Sequence, residues 1–239
     1  TSPPLSLNLN WRLAEIFADK RQTDAWLRQH KIATIPTKTI DDALIPSAID
    51  TQHSDADSFA VLKPRDGAGT DSVRIVPLSP RSFQSLPHRQ SDNDRWILQP
   101  LMSGVACSIG FIGGGEGHPA TILPPARQDI QVTNGNLSYC GGQVPCDPDI
   151  ASRIIPVATQ LATALGAFNG YVGVDLIVDL SDVDDSDDSV RVVEINPRLC
   201  TSYVGYRALT HDNLAAWILQ QRAGTPIRWT PGVVTFSAA

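Results

Sequence analysis

Apolar positions along the chain follow two rhythms. Trp11, Leu13, Ile16 and Phe17 form one stripe and Trp26 and Leu27 another; this three-to-four spacing predicts two short helices within 11–31, the second capped by Thr23. "KIATIP" predicts a short extended piece before Pro36. The segments 57–64 (DSFAVLKP) and 71–78 (DSVRIVPL) read as strands joined by the glycine-bearing loop "PRDGAGT", and "RWILQPLMSG" as a third strand ending at Pro100. From Gly104 the runs "VACSIGFIGG", "HPATILPP" and "LSYCGGQVP" predict a meander of short strands. The glycines of "GFIGGGEGH" read as a hairpin turn, because their order fits neither a dinucleotide fingerprint nor a Walker loop.

The clearest helix is "DPDIASRIIPVATQLATALGAF". Ile150, Ile154, Val157, Leu161 and Leu165 step by three or four residues, Asp147 or Asp149 is a cap, Pro156 predicts a kink and Gly166 a stop. "GYVGVDLIVDL" and "SVRVVEIN" follow as two strands around the acidic tip "SDVDDSDDS". That tip reads as a solvated turn, since a calcium loop needs Gly at its sixth position and Glu at its twelfth. "HDNLAAWILQQRAG" predicts a last amphipathic helix, and "RWTPGVVTFSAA" a final strand and tail.

Composition narrows the function classes. The 239 residues are 42% hydrophobic, with a formal net charge of −6 and no Lys/Arg run. This argues against a broad nucleic-acid surface, and no apolar stretch is long enough to cross a bilayer. No secretory signal is visible, and the four cysteines (Cys107, Cys140, Cys146, Cys200) lack zinc spacing. Free thiols in a reducing, cytoplasmic setting are expected.

The chemistry concentrates where strands end. Glu194 and Asn196 sit two apart, so they share a face. Asp175 interrupts the preceding apolar strand, and pairing of the two strands brings it to Glu194. Two carboxylates and an amide oxygen are hard ligands suited to Mg²⁺ or Mn²⁺, whereas the alternative is an edge strand facing water. Lys63 ends "FAVLK" ahead of Gly67, Gly69, Thr70 and Ser72, whose N–H and hydroxyl groups suit phosphate, though an ordinary hairpin would look similar. In "LQPLM", the Pro100 carbonyl and the Leu101 N–H match the donor–acceptor edge of adenine.

Lys20 in "ADKRQTDAWLRQHKIATIP", "VLKPRDGAGT", "WILQPLMSG", "GYVGVDLIVD" and "VVEINPR" occur in this order. The set resembles the ATP-grasp superfamily of carboxylate–amine ligases over roughly residues 12–222. The resemblance implies an α+β fold of two lobes whose antiparallel sheets enclose a nucleotide cleft. It implies a linker or the remnant of a missing N-terminal domain at 1–10, a small lobe at 11–99, a large lobe with the metal site at 100–230 and a tail at 231–239. It further implies ATP and Mg²⁺, with Lys20 and Lys63 on the phosphates, Gln99, Pro100 and Leu101 as the adenine hinge, Asp175, Glu194 and Asn196 on the metal, and Arg198 on the transferred phosphoryl group.

"RQDIQVTNGNLSYCGGQVP" and "EINPRLCTSYVGYRAL" resemble the branch that joins the γ-carboxyl of glutamate to an aromatic amine, that of the tyramine–glutamate ligases. The partners so implied are a small carboxylate and an amine, with a homodimer left open. Thr201, Ser202, Tyr203, Tyr206 and Arg207 are candidate substrate residues, as are Arg127 and Gln128 in the loop after "ILPPA". Tyr203 and Tyr206 equally suit the packing face of a helix. One departure stands out: Ala106 occupies a position where many members carry an acid that helps hold the nucleotide. That departure keeps a catalytically inactive nucleotide-binding module as the rival reading.

Overall fold

The computed structural model describes residues 6–44, 59–67, 72–77, 94–181, 189–220 and 226–238. The acidic tip at 182–188, Gly69 and Thr70 lie outside these residues.

Among the described residues, eleven strands form one antiparallel sheet in the order β1-β4-β2-β3-β8-β7-β5-β9-β10, with β11 on β8 and β6 on β5. The strands are β1 Lys38–Thr39, β2 Phe59–Pro64, β3 Arg74–Pro77, β4 Trp96–Pro100, β5 Val105–Ile112, β6 Thr121–Ile122, β7 Ala126–Thr133, β8 Asn136–Val144, β9 Tyr171–Val178, β10 Val190–Asn196 and β11 Val234–Ser237. The helices are α1 Trp11–Ala18, α2 Lys20–Gln29, α3 Ile40–Leu44, α4 Pro148–Leu165, α5 Ser202–Leu209 and α6 Leu214–Gln220. The sheet narrows at a single register pair, Arg74 opposite Asn136, where β3 meets β8.

Local chemistry explains most element ends. Asn10 caps α1 by accepting from the Leu13 N–H. Asp19, not Thr23, caps α2: its carboxylate accepts from the N–H groups of Arg21 and Gln22, while the Thr23 hydroxyl donates back to the Asp19 carbonyl. Thr23 is one turn too late because the chain needs only one extended residue between the two helices. Asp147 caps α4, the helix continues through Pro156, and Gly166 ends it at φ 67°, a left-handed value that glycine adopts without strain. The buried stripe of α4 is Ile150, Ile154, Ala158, Leu161 and Leu165, with Ala158 taking the place expected for Val157.

Three apolar clusters hold the described residues together. The largest joins Phe17, Trp26, Leu27 and Ile32 to the α4 stripe and to the inner residues of β5, β9 and β10. A second lies under α5 and α6 around Tyr206, Leu209 and Trp217, and a third joins Ile40, Ala60, Leu62, Val76 and Leu98. The apolar residues of the helices at 11–29 therefore share a core with the strands of 105–195. Leu9 is buried in the first core, and β11 pairs with β8 inside the stretch expected to be tail. All four cysteines are free. Among the described residues, no helix is long and apolar enough to cross a membrane.

Leu161 is 0% exposed in the first core. Leu161→Ala is expected to cost about 2–5 kcal/mol of stability through lost transfer energy and a residual cavity. Urea unfolding would show this as a lower midpoint at an unchanged slope.

Candidate active site

Strands from both sides of the β3–β8 junction line a cleft of ≈ 920 Å³. Its floor is set by a register shift. Val190 and Val192 of β10 point into the core, and simple alternation would send Glu194 there too, yet Ile195 is the next core residue. A bulge between Val192 and Glu194 changes the phase, which turns Glu194 and Asn196 toward the cleft together with Val193. Glu194 lies directly opposite Asp175 and Asn196 opposite Gly173. The convergence expected from the sequence is present, and the bulge is its cause.

The floor groups are hydrogen-bonded to one another. Asp175 accepts from Gln128 Nε2 on one oxygen (2.8 Å) and from Asn196 Nδ2 on the other (3.0 Å). Arg198 donates to Asn196 Oδ1 at 2.9 Å. Burial raises the Asp175 carboxyl to about 6, and the neighbouring Glu194 carboxylate adds to the rise, against the lowering effects of Gln128, Lys63 and Asn196. Among the described residues no three His, Cys, Asp or Glu side chains group as a metal site; the floor offers two carboxylates and an amide instead.

Two lysines face this floor. Lys63, on β2, is buried, and that burial lowers its ammonium to about 8; Lys20 lowers it as well, while Glu194 and Asp175 oppose the change. Lys20 opens α2, donates to the Gly67 carbonyl at 3.1 Å and stands 3.9 Å from Glu194. The start of the glycine loop is tied to that helix. Arg65 donates to Asp19 Oδ2 through two nitrogens (2.9 and 2.7 Å) and to Asp94 at 2.8 Å, and the Arg65 carbonyl accepts from the Lys20 N–H at 3.0 Å. Burial alone would raise the Asp19 carboxyl, but the Arg65 guanidinium and the Gln22 and Arg21 donors hold it down at about 2.

At the opposite end, Gln99, Pro100 and Leu101 line the cleft. Gln99 donates to the Thr37 hydroxyl at 2.9 Å. The Leu101 N–H is already bonded to the Phe59 carbonyl at 3.0 Å, which corrects the expectation that it offers a donor to adenine. The ladder between β2 and β4 runs one residue past the strand end and takes that group.

Gly67, Ser72, Gln128, Arg198, Thr201 and Ser202 also line the cleft. Four candidate substrate residues do not. Tyr206 is fully buried in the second core, and Tyr203 packs edge-on against Tyr171 with ring centroids 5.9 Å apart. Arg207 is exposed on α5, and Arg127 pairs with Asp129 at 3.7 Å. Arg127 and Gln128 sit on β7, not in a loop, so alternation sends one side chain out and the other in. Tyr139, on β8, lines the cleft, and burial together with Asp175 raises its phenol well above the usual range. It escaped the sequence reading because its partner strand β7, rich in Arg, Gln and Asp, does not look like a strand. The alternation of Leu137, Tyr139 and Gly141 was the available signal.

An ATP-grasp domain profile matches residues 17–202. The chain belongs to the ATP-grasp family. Two tyramine–L-glutamate ligases, from Methanocaldococcus jannaschii and Methanocaldococcus fervens, are each 27% identical to it over 128 residues, 54% of this chain. Those matches cover 36% and 38% of the two proteins, so they span little more than a third of the relatives' length. Among solved structures, an N5-carboxyaminoimidazole synthetase from Staphylococcus aureus complexed with ADP superposes with a TM-score of 0.71 at 14% identity, covering 92% of this chain and 56% of that one. An L-amino acid ligase from Bacillus licheniformis superposes with a TM-score of 0.61 at 17% identity, covering 90% and 49%. At these identities the structures show a shared ATP-grasp fold.

Gln128 is one of the groups that keep the Asp175 carboxyl from rising further. Gln128→Leu is expected to move its titration above about 6, read from the carboxyl ¹³C shift in the protein free of nucleotide and metal.

Proposed function

We infer that this ATP-grasp protein binds Mg–ATP in the cleft and joins a small carboxylate to an amine, releasing ADP and phosphate. The observation that carries the reading is the facing arrangement of Lys63 and Lys20 with Asp175, Glu194 and Asn196. Two like charges, one on a half-buried and desolvated carboxyl, are unstable alone and are relieved by a cation. Asp175, Glu194 and the Asn196 oxygen are hard donors, so they fit Mg²⁺ or Mn²⁺. Such an ion would neutralise charge on the phosphates, while the protein's own groups do the positioning.

In this reading Lys63 and Lys20 hold the phosphates. Arg198, oriented by Asn196, presents its fork to the transferred phosphoryl group. A substrate carboxylate oxygen attacks the γ-phosphorus, the bond to the β–γ bridging oxygen breaks, and ADP departs from an acyl phosphate. The amine nitrogen then attacks the acyl carbon, and phosphate leaves as the amine loses a proton. No protein nucleophile is required, because proximity and charge neutralisation carry phosphoryl transfer. Similarity to tyramine–L-glutamate ligases favours glutamate and an aromatic amine as the pair. Thr201, just ahead of α5 in the cleft lining, is the candidate contact for the carboxylate substrate, since the Ser202 hydroxyl is buried beside Tyr171 and Tyr206.

A second reading, nucleotide binding without turnover, is favoured by Ala106 in the cleft wall and by the bonded Leu101 N–H. ADP release measured with glutamate and tyramine separates the two.

Glu194→Gln is expected to abolish Mg²⁺-dependent nucleotide turnover with the fold retained; full turnover in that variant contradicts the metal assignment. Lys63→Ala is expected to weaken Mg–ATP binding by about 1.5–3 kcal/mol, the size of a lost charge-assisted contact, on calorimetry. Lys63 titrates near 8 in the free protein, so it is charged at lower pH. Nucleotide affinity should therefore fall as pH rises through about 8, and the Lys63→Ala variant should lose that dependence.

A further inference from the structure

Ile130, Val132, Leu137 and Tyr139 are among the cleft-lining side chains that belong to none of the three cores. Ile130 of β7 lies opposite Tyr139 of β8, and Val132 lies opposite Leu137. Opposed pairs on one face stand about 4.5–5.5 Å apart at Cβ, so the four side chains make a shallow, flat ladder. Val132 is 56% exposed, unusual for a β-branched apolar residue in a cleft whose floor is charged.

The ladder has an apolar end and a polar end. At the hairpin tip, the Ile75 N–H donates to the Gly135 carbonyl (2.7 Å) and the Leu137 N–H to the Val73 carbonyl (3.2 Å). These bonds bring Val73 and Ile75, which also line the cleft, to its edge. At the other end Gln128, on the same face of β7, holds Asp175, and the Tyr139 hydroxyl lies within the field of that carboxylate. Like any phenol it is protonated at neutral pH and can donate a hydrogen bond.

An open apolar surface with one convergent polar edge is the signature of a small-molecule subsite. We propose that the Ile130–Val132–Leu137–Tyr139 ladder seats the aromatic ring of the amine substrate, with its amino group directed toward the Asp175 and Arg198 end. The proposal rests on the ligase reading above and places one of its two substrates. The ladder and the expected adenine hinge sit on different parts of the sheet, since β2 and β3 stand between β4 and β8.

The test uses Val132→Gln, a neutral change at an exposed position, with Val132→Ile as the conservative control. Tyramine is titrated by NMR in the presence of Mg–ADP, and Mg–ADP itself by calorimetry. Val132→Gln is expected to weaken tyramine at least tenfold and to leave Mg–ADP within twofold, while Val132→Ile retains both. Unchanged tyramine affinity in Val132→Gln overturns the proposal, as does an equal loss of Mg–ADP, which would give the ladder to the nucleotide. Mg–ADP binding without tyramine binding in the unaltered protein overturns the subsite alone. Failure of both ligands overturns the ligase reading together with it.

Discussion

Two carboxylates facing each other across adjacent strands, both half-buried, set the terms for the cleft. Burial raises the cost of ionising Asp175, and the neighbouring Glu194 carboxylate adds to it. Such a pair persists only if donors and cations surround it. The protein supplies Gln128 and Asn196 as donors, and Lys63 and Lys20 as charges on the facing wall. Arg198 is held by the same Asn196 that bonds Asp175, so that guanidinium and that carboxylate share one anchor. Asn196 is therefore a junction, with its amide engaged at both ends.

The cation wall depends on a second set of charges outside the cleft. Lys20 stands where it does because Asp19 starts α2 there, and Asp19 also receives Arg65 from the glycine loop. A helix cap, an ion pair and a cleft lysine therefore converge within a few residues. The Arg65–Asp19 pair is partly buried and donates through two nitrogens, a geometry stronger than that of an ordinary surface bridge. It links the loop after β2 to a helix whose apolar face packs in the core beneath β9 and β10.

The sequence made some of this legible. The β9–β10 hairpin and its acidic set could be read because alternation along a strand is a local property, and an acid inside an apolar run stands out. The α4 helix, its Asp147 cap and its Gly166 stop were legible for the same reason. Strand β7 was not, since its outer face carries Arg127, Asp129 and Gln131 and its inner face opens onto a cleft rather than a core. Its apolar alternation is confined to Ile130 and Val132, too short a run to mark a strand, and with it went Tyr139 and the correct facing of Arg127.

What the sequence determined by itself is most of the elements, the family motifs and the hairpin that brings β9 beside β10, all of which follow from neighbours in the chain. Only the tertiary structure decided which groups reach the cleft. The bulge in β10 reverses the phase of Glu194, the carbonyl of Phe59 takes the Leu101 N–H, and the second core absorbs Tyr206. Each of these outcomes depends on ladder register or packing against residues distant in the chain. The free energy that settles them comes from contacts that exist only once the whole sheet has assembled.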